Sequence, residues 1–135
     1  MRGSKHPKVS VLILTYNHEN YMRQTLEGAI HQNVHFHYEI WVHDDASTDG
    51  TQQILKEYQE RYPDLIKLYL QEENQFQKGV KPLSTFLYPR VKSDYLAFCE
   101  GDDYWVDQDK LQTQVDFLDA HPDYVLCAHD VQIVF

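Results

Sequence analysis

Residues 9–15, VSVLILT, form an unbroken β-branched and aliphatic run, and apolar runs return along the chain with helical spacings between them. A run without polar alternation reads as a strand covered on both faces. After it, Tyr21, Met22, Leu26, Ala29 and Ile30 recur at helical spacing, with Asn17 or Asn20 available as the cap. Glu39 to His43 reads as a second strand, ended by Asp44 and Asp45. Asp49, with Gln52 three positions on, reads as a capping box for a helix carrying Ile54, Leu55, Tyr58 and Tyr62 and stopped by Pro63. Ile66, Leu68 and Leu70 alternate with Lys67 and Tyr69 as a third strand. A polar loop over 71–82 and a short helix from Leu83 towards Val91 follow. The strand Tyr95 to Cys99 runs into an acidic cluster. Leu111, Val115 and Leu118 mark a helix starting near Asp107 and closed by His121-Pro122, and Tyr124 to Ala128 opens a further strand.

Strands alternating with helices over connections of this length imply parallel pairing through right-handed crossovers. The expected fold is therefore an α/β domain with an open, mostly parallel sheet and helices on both faces. Ligands of such sheets bind beyond the carboxyl ends of the strands. Three polar clusters directly follow predicted strands: Thr15-Tyr16-Asn17, Asp44-Asp45 and Glu100-Gly101-Asp102-Asp103. If those strands are parallel neighbours, the clusters meet on one rim. Three carboxylates within four positions repel one another at the end of a buried strand, and a divalent cation is the natural compensation.

The chain of 135 residues is 42% hydrophobic and 24% charged, which suits one domain with a real core. Its net charge of −9 argues against nucleic acid, which is bound mainly through clustered Lys and Arg. Acidity is compatible with a small phosphorylated ligand when a metal ion sits between phosphate and carboxylate. The apolar runs are too short to span a bilayer and the N-terminus lacks a signal-peptide core, so the expected location is the cytoplasm. Association with the inner face of the cell membrane would be peripheral, through regions outside this chain. Cys99 and Cys127 sit in apolar stretches and are expected as buried free thiols. Residues 1–7 read as a leader, with Met1-Arg2-Gly3-Ser4 of vector type. Val131 to Phe135 stop in a β-favouring run, so 8–135 are expected to be an incomplete domain, truncated at its C-terminus.

The strings VSVLILTYNHENYMRQTLEGAIHQ, EIWVHDDASTDGTQQIL and DYLAFCEGDDYWVDQDKLQTQVDFL together resemble the N-terminal half of family 2 glycosyltransferases, from about Lys8 to about His129. The resemblance implies a Rossmann-like GT-A core that holds a nucleotide-sugar donor. It implies that Thr15, Tyr16 and Asn17 line the base and ribose, with Tyr16 as a stacking surface. Asp45 would accept a hydrogen bond from a uracil ring, favouring a UDP-sugar. The pair after the fourth strand matches the DXD position: Asp103 would ligate Mn2+ or Mg2+ on the diphosphate, and Asp102 would lie against the ribose or share in the metal site. The implied acceptor is a saccharide or lipid-linked hydroxyl in cell-surface polysaccharide synthesis, and the implied catalytic base lies beyond residue 135.

The segment ENQFQKGVKPLSTFLYPR lacks the Asn-x-Gly and Ala-Arg-Asn signature of many relatives. Lys78 and Lys81 either supply phosphate or ribose contacts in its place or are solvated loop lysines. Glu100 either opens a looser DXD or packs structurally. His35 and His37, with His31 nearby, read as surface histidines before they read as metal ligands. His43 reads as a core histidine, and His129-Asp130 would approach the cleft. Trp105 either shapes the sugar pocket or packs on the following helix. Two other functions fit the layout: a sugar nucleotidyltransferase, against which no Gly-rich loop follows the first strand, and a non-catalytic nucleotide-binding domain of a larger protein.

Overall fold

The computed structural model describes residues 6–128. Four strands, β1 (Val9–Thr15), β2 (Tyr38–Asp44), β3 (Ile66–Leu70) and β4 (Tyr95–Glu100), form one sheet in the order β3-β2-β1-β4. Every pairing is parallel. β1 runs beside β2 from Val9 opposite Tyr38 to Thr15 opposite Asp44, and beside β4 from Val9 opposite Tyr95 to Leu14 opposite Glu100. β3 flanks β2 up to Leu70 opposite Asp44. The strands therefore end level with one another, which puts the turns after β1, β2 and β4 along a single edge.

Three helices, α1 (Met22–Ile30), α2 (Thr51–Arg61) and α3 (Lys110–Ala120), supply Met22, Leu26, Ala29, Ile54, Leu55, Tyr58, Leu111 and Val115 to one core cluster. The cluster also takes Val9, Val11 and Ile13 from β1, Ile40 and Val42 from β2, Ile66 from β3 and Cys99 from β4. The other face is covered differently. Over β2 and β3, the single π turn Leu83–Leu87 lays Phe86 against His43 and Tyr69, with ring centroids 5.6 and 5.1 Å away. Leu12 and Leu87 are fully buried there, whereas Leu96 and Phe98 on β4 stay 40% and 52% exposed.

The element boundaries follow the sequence closely, but several details differ from expectation. Neither Asn17 nor Asn20 caps α1; Tyr21 stands at its N-cap without a side-chain bond, and the His18 carbonyl takes the N–H groups of Tyr21 and Met22. The expected capping box is not formed either. Asp49 Oδ1 accepts from Thr51 N and Oγ1, at 2.9 and 2.6 Å, while Gln52 donates instead to Asp44 Oδ2 at 2.7 Å. A buried carboxylate is the more demanding partner and takes the amide. α3 starts at Lys110, three residues after Asp107. Residues 124–128 form no strand, with no ladder beside them among the described residues; Val125 is 95% exposed. His6 and Pro7, grouped with the leader, are placed: His6 Nε2 lies 2.8 Å from Asp94 Oδ1 and Pro7 is buried. His129-Asp130 and Val131 to Phe135 lie outside the described residues.

Candidate functional site: the rim of β1, β2 and β4

The turn after β1 is built around Asn17, whose φ is +54°. Asn tolerates the left-handed region because its short amide bonds locally. Here that amide reaches across the rim: Oδ1 accepts from Thr48 N at 2.8 Å and Nδ2 donates to Thr48 Oγ1 at 3.2 Å. Asn17 N in turn donates to Ser47 Oγ at 2.9 Å. So the side chain expected on the nucleotide is engaged with the β2–α2 turn. Tyr16, one residue earlier, points out and is 42% exposed, open to a stacking partner.

Two acidic residues end β2 and do different work. Asp44 is fully buried and organises the turn, accepting from Ser47 N at 2.9 Å, from Gln52, and from the Ser47 hydroxyl through a short bond. Asp45 donates its N–H to the Thr15 carbonyl at 3.0 Å, which ties the ends of β1 and β2 together. Its carboxylate accepts from Gln75 N at 2.7 Å and from Phe76 N at 3.1 Å, and its carbonyl accepts from Asn74 Nδ2 at 3.1 Å. Asp45 thus anchors the loop over 71–82, where Phe76–Lys78 make one 3-10 turn closed by Gly79 at φ +72°. Each carboxylate oxygen keeps a second lone pair. Ala46 follows at φ +61°, a conformation costly for alanine that persists because its neighbours fix the turn.

The acidic turn after β4 is held from below. Gly101 N donates to the Leu14 carbonyl at 2.9 Å, and Thr25 Oγ1 on α1 reaches the Gly101 carbonyl at 3.0 Å and makes a short bond to the Asp103 carbonyl. A Cβ on Gly101 would sit 2.5 Å from Thr15 Oγ1 and 2.6 Å from His18 Nδ1, so only glycine lets the two strand ends approach. With the backbone pinned, Asp102 and Asp103 project into solvent. Among the described residues no Lys or Arg pairs with Asp44, Asp45, Glu100, Asp102 or Asp103. Burial, and then the charges of Asp102 and Asp103, hold the Glu100 carboxyl above its usual range.

An oxygen-only donor set suits Mg2+ or Mn2+. Among the described residues no group of three or more His, Cys, Asp or Glu side chains is gathered to hold a metal. Two exposed carboxylates fit a hard cation whose other positions are filled by phosphate and water, as Mg2+ prefers.

The remaining candidates are placed as follows. Trp105 packs against the core, with Lys110 Nζ 4.4 Å from its ring centroid and its backbone against Gly28. Lys78 pairs with Glu73 at 2.6 Å, half-exposed, and Lys81 is exposed. His31 pairs with Glu27 on its own helix, at 2.9 Å, while His35 and His37 are surface residues. His43 is 1% exposed, stacked on Tyr69 and Phe86, and burial pushes its pKa down. Cys99 and Cys127 are free, Cys99 buried as expected and Cys127 only half-buried; burial and the Asp103 charge push the Cys99 thiol up to about 12. The residues that sequence alone did not single out are Asp44 as organiser, Thr25, His18 and Thr51. Only the spacing of the DDxST string hinted at any of them.

An open, all-parallel four-stranded sheet with helices packed on it is the architecture of a Rossmann-like GT-A core, and here an exposed tyrosine and two acidic pairs follow its strand ends. The chain belongs to glycosyl transferase family 2, whose profile matches residues 10–133. It is 34% identical over 112 residues to the putative teichuronic acid biosynthesis glycosyltransferase TuaG of Bacillus subtilis, covering 83% of this chain and 42% of that protein. Among solved structures, TarS of S. aureus in complex with UDP superposes with a TM-score of 0.71 at 28% identity, over 85% of this chain and 33% of that one. The mannosyltransferase PcManGT of Pyrobaculum calidifontis, in complex with GDP-Man and Mn2+, gives 0.69 at 26% identity, over 85% and 33%. The chain spans 36–42% of the length of the curated relatives at the head of the comparison. No helix among the described residues is long and apolar enough to cross a membrane.

Proposed function

We propose that this chain is the donor-binding part of a transferase that moves a sugar from a UDP-sugar to a hydroxyl of a saccharide or lipid-linked acceptor, with Mn2+ or Mg2+ as cofactor. The observation that carries the reading is the convergence of Tyr16, Asp45, Asp102 and Asp103 on one rim, joined by the Asp45–Thr15 and Gly101–Leu14 hydrogen bonds. TarS was solved with UDP and PcManGT with GDP-Man and Mn2+, which supports a nucleotide-sugar donor and a divalent cation, and TuaG is named for teichuronic acid biosynthesis, which supports polymer synthesis as the setting.

In this reading the exposed ring of Tyr16 stacks on the base, a contact worth about 1–3 kcal/mol. The free lone pairs of Asp45 accept the uracil N3–H, a charge-assisted bond contributing about 1.5–3 kcal/mol that cytosine cannot make. Thr15 and Asn17 set the backbone against which the nucleoside lies, and Asp102 meets the ribose. Asp103, with Asp102 beside it, holds the divalent ion, which supplies Lewis-acid neutralisation of the leaving diphosphate.

The test is a thermal-shift and calorimetric titration with UDP, CDP, GDP and TDP, each with and without Mn2+. UDP with Mn2+ at about 100 times its Kd should add about 2.7 kcal/mol of stability, a rise of several degrees in Tm. Asp103→Ala should abolish the metal-dependent part and Asp45→Asn should erase the preference for UDP over CDP. An unchanged Tm with UDP and metal overturns the donor assignment.

A further inference from the structure

His18 lies at the join of the three strand ends and has no part in the reading above. Its ring Nδ1 is 2.9 Å from Thr15 Oγ1 at the end of β1. The same nitrogen would stand 2.6 Å from a Cβ on Gly101, so the ring also lies against the first residue after β4. Its backbone N donates to Thr51 Oγ1 at 2.9 Å, at the start of α2, and its carbonyl starts α1 by taking the N–H groups of Tyr21 and Met22. The ring is half-buried and packs edge-on to Tyr21, with centroids 6.3 Å apart. A single side chain therefore touches the β1 end and the glycine that opens the acidic turn, while its backbone fixes both neighbouring helices.

We propose that His18 is the positioning residue that keeps the nucleoside end of the donor site, at Thr15 and Tyr16, in register with its phosphate end, at Asp102 and Asp103. The inference rests on the donor reading given above. A nucleoside diphosphate that touches both ends gains affinity only if their spacing is fixed before it arrives, since otherwise part of its binding energy orders the protein. β1 and β4 are neighbours, but their paired residues stop at Leu14 and Glu100. Beyond that point the Gly101–Leu14 backbone bond and the Thr15–His18–Gly101 packing link the two turns, and Thr25 on α1 holds the Gly101 and Asp103 carbonyls. Removing the ring leaves a void against Gly101 and frees the Thr15 hydroxyl, so Thr15 loses its side-chain link to the acidic turn. The backbone bonds to Leu14 and Thr25 keep that turn folded, and the spacing between the two ends is less tightly fixed. When the Thr15 hydroxyl donates to Nδ1, the neutral ring carries its proton on Nε2.

The test separates this role from general damage. UDP affinity is measured by calorimetry with and without Mn2+ for the wild type, His18→Ala, His18→Asn, His18→Gln and Thr15→Val, with thermal unfolding of each as the folding control. The informative quantity is the factor by which Mn2+ tightens UDP. His18→Ala should lower that factor about fivefold, the scale of one hydrogen bond, and leave metal-free UDP binding within about twofold. His18→Asn, which keeps a polar atom near the Nδ1 position, should recover most of it. Thr15→Val should reproduce the loss, and combining it with His18→Ala should add nothing further, as expected of two partners in one contact. If the wild type binds no UDP, the donor reading fails and takes this inference with it. If the wild type binds UDP with a metal-dependent gain that His18→Ala leaves intact, the inference alone fails. Recovery by His18→Gln and not by His18→Asn also overturns it, because the ring would then act through Nε2 on the ligand. Should His18→Ala not fold, His18→Asn against Thr15→Val carries the same comparison.

Discussion

At the scale of single residues, the site is set by close approach rather than by side-chain chemistry alone. Gly101 admits Thr15 and His18, and Gly28 on α1 does the same for the segment after the acidic turn: a Cβ there would lie 2.6 Å from the Trp105 carbonyl oxygen and 3.0 Å from its nitrogen. Helix propensity favours Ala over Gly by about 1 kcal/mol, but backbone atoms cannot swing aside as a side chain can. Gly28→Ala is therefore expected to destabilise the fold by about 1–3 kcal/mol, the usual cost of overpacking. A urea unfolding midpoint at or above that of the wild type would show that the helix end yields. The two acids of β2 show why residue type alone does not assign a role. Asp44 is consumed by its own turn, whereas Asp45 keeps lone pairs to spare.

At the scale of elements, the two faces of the sheet are built by different means. The helical face is a continuous apolar cluster, while the face over β2 and β3 depends on the aromatic stack of His43, Tyr69 and Phe86, with Arg90 4.5 Å above the Tyr69 ring. Burial lowers the His43 pKa below its ordinary 6.5, opposed by the charges of Asp45 and Asp44. A base with a depressed folded pKa takes up a proton more readily when unfolded. Stability from this group is thus complete above about pH 6.5 and is lost as the pH falls from there towards the folded pKa. Urea midpoints between about pH 7.5 and pH 5 should decline, and His43→Phe should flatten the part of that slope due to this ring. Equal slopes in both proteins would remove His43 as the cause. The same scale explains the failed cap assignments. Capping signals are local, but Gln52 found a buried carboxylate eight residues back and Asn17 a turn 31 residues on.

At the scale of the whole molecule, the sheet has two edge strands among the described residues, β3 and β4, and β4 is the one that carries exposed apolar side chains. β4 has no strand on its outer side among the described residues, and Leu96 and Phe98 face outward there, close to exposed Val125 and Leu126. An unpaired edge beside apolar surface is a template for pairing with another chain. The 135-residue chain is expected to self-associate as its concentration rises, and Phe98→Lys should shift it towards the monomer. Light scattering that gives a monomer mass at every concentration for the wild type would count against this.

The strand expected over 124–128 is absent and the helix expected from Leu83 is one π turn. The sequence by itself determined the other four of the five strands it suggested, the three long helices, the parallel sheet and the fact that polar clusters follow β1, β2 and β4. These depend on apolar runs and periodicities within a few residues, and the level strand ends follow from parallel pairing. The tertiary structure alone decided what each polar group touches. Thr25 meets the Gly101 carbonyl across 76 positions, and Asp45 meets Phe76 across 31. Such partners are chosen when packing closes some acceptors to water and leaves others open, and no local pattern in the chain records that choice.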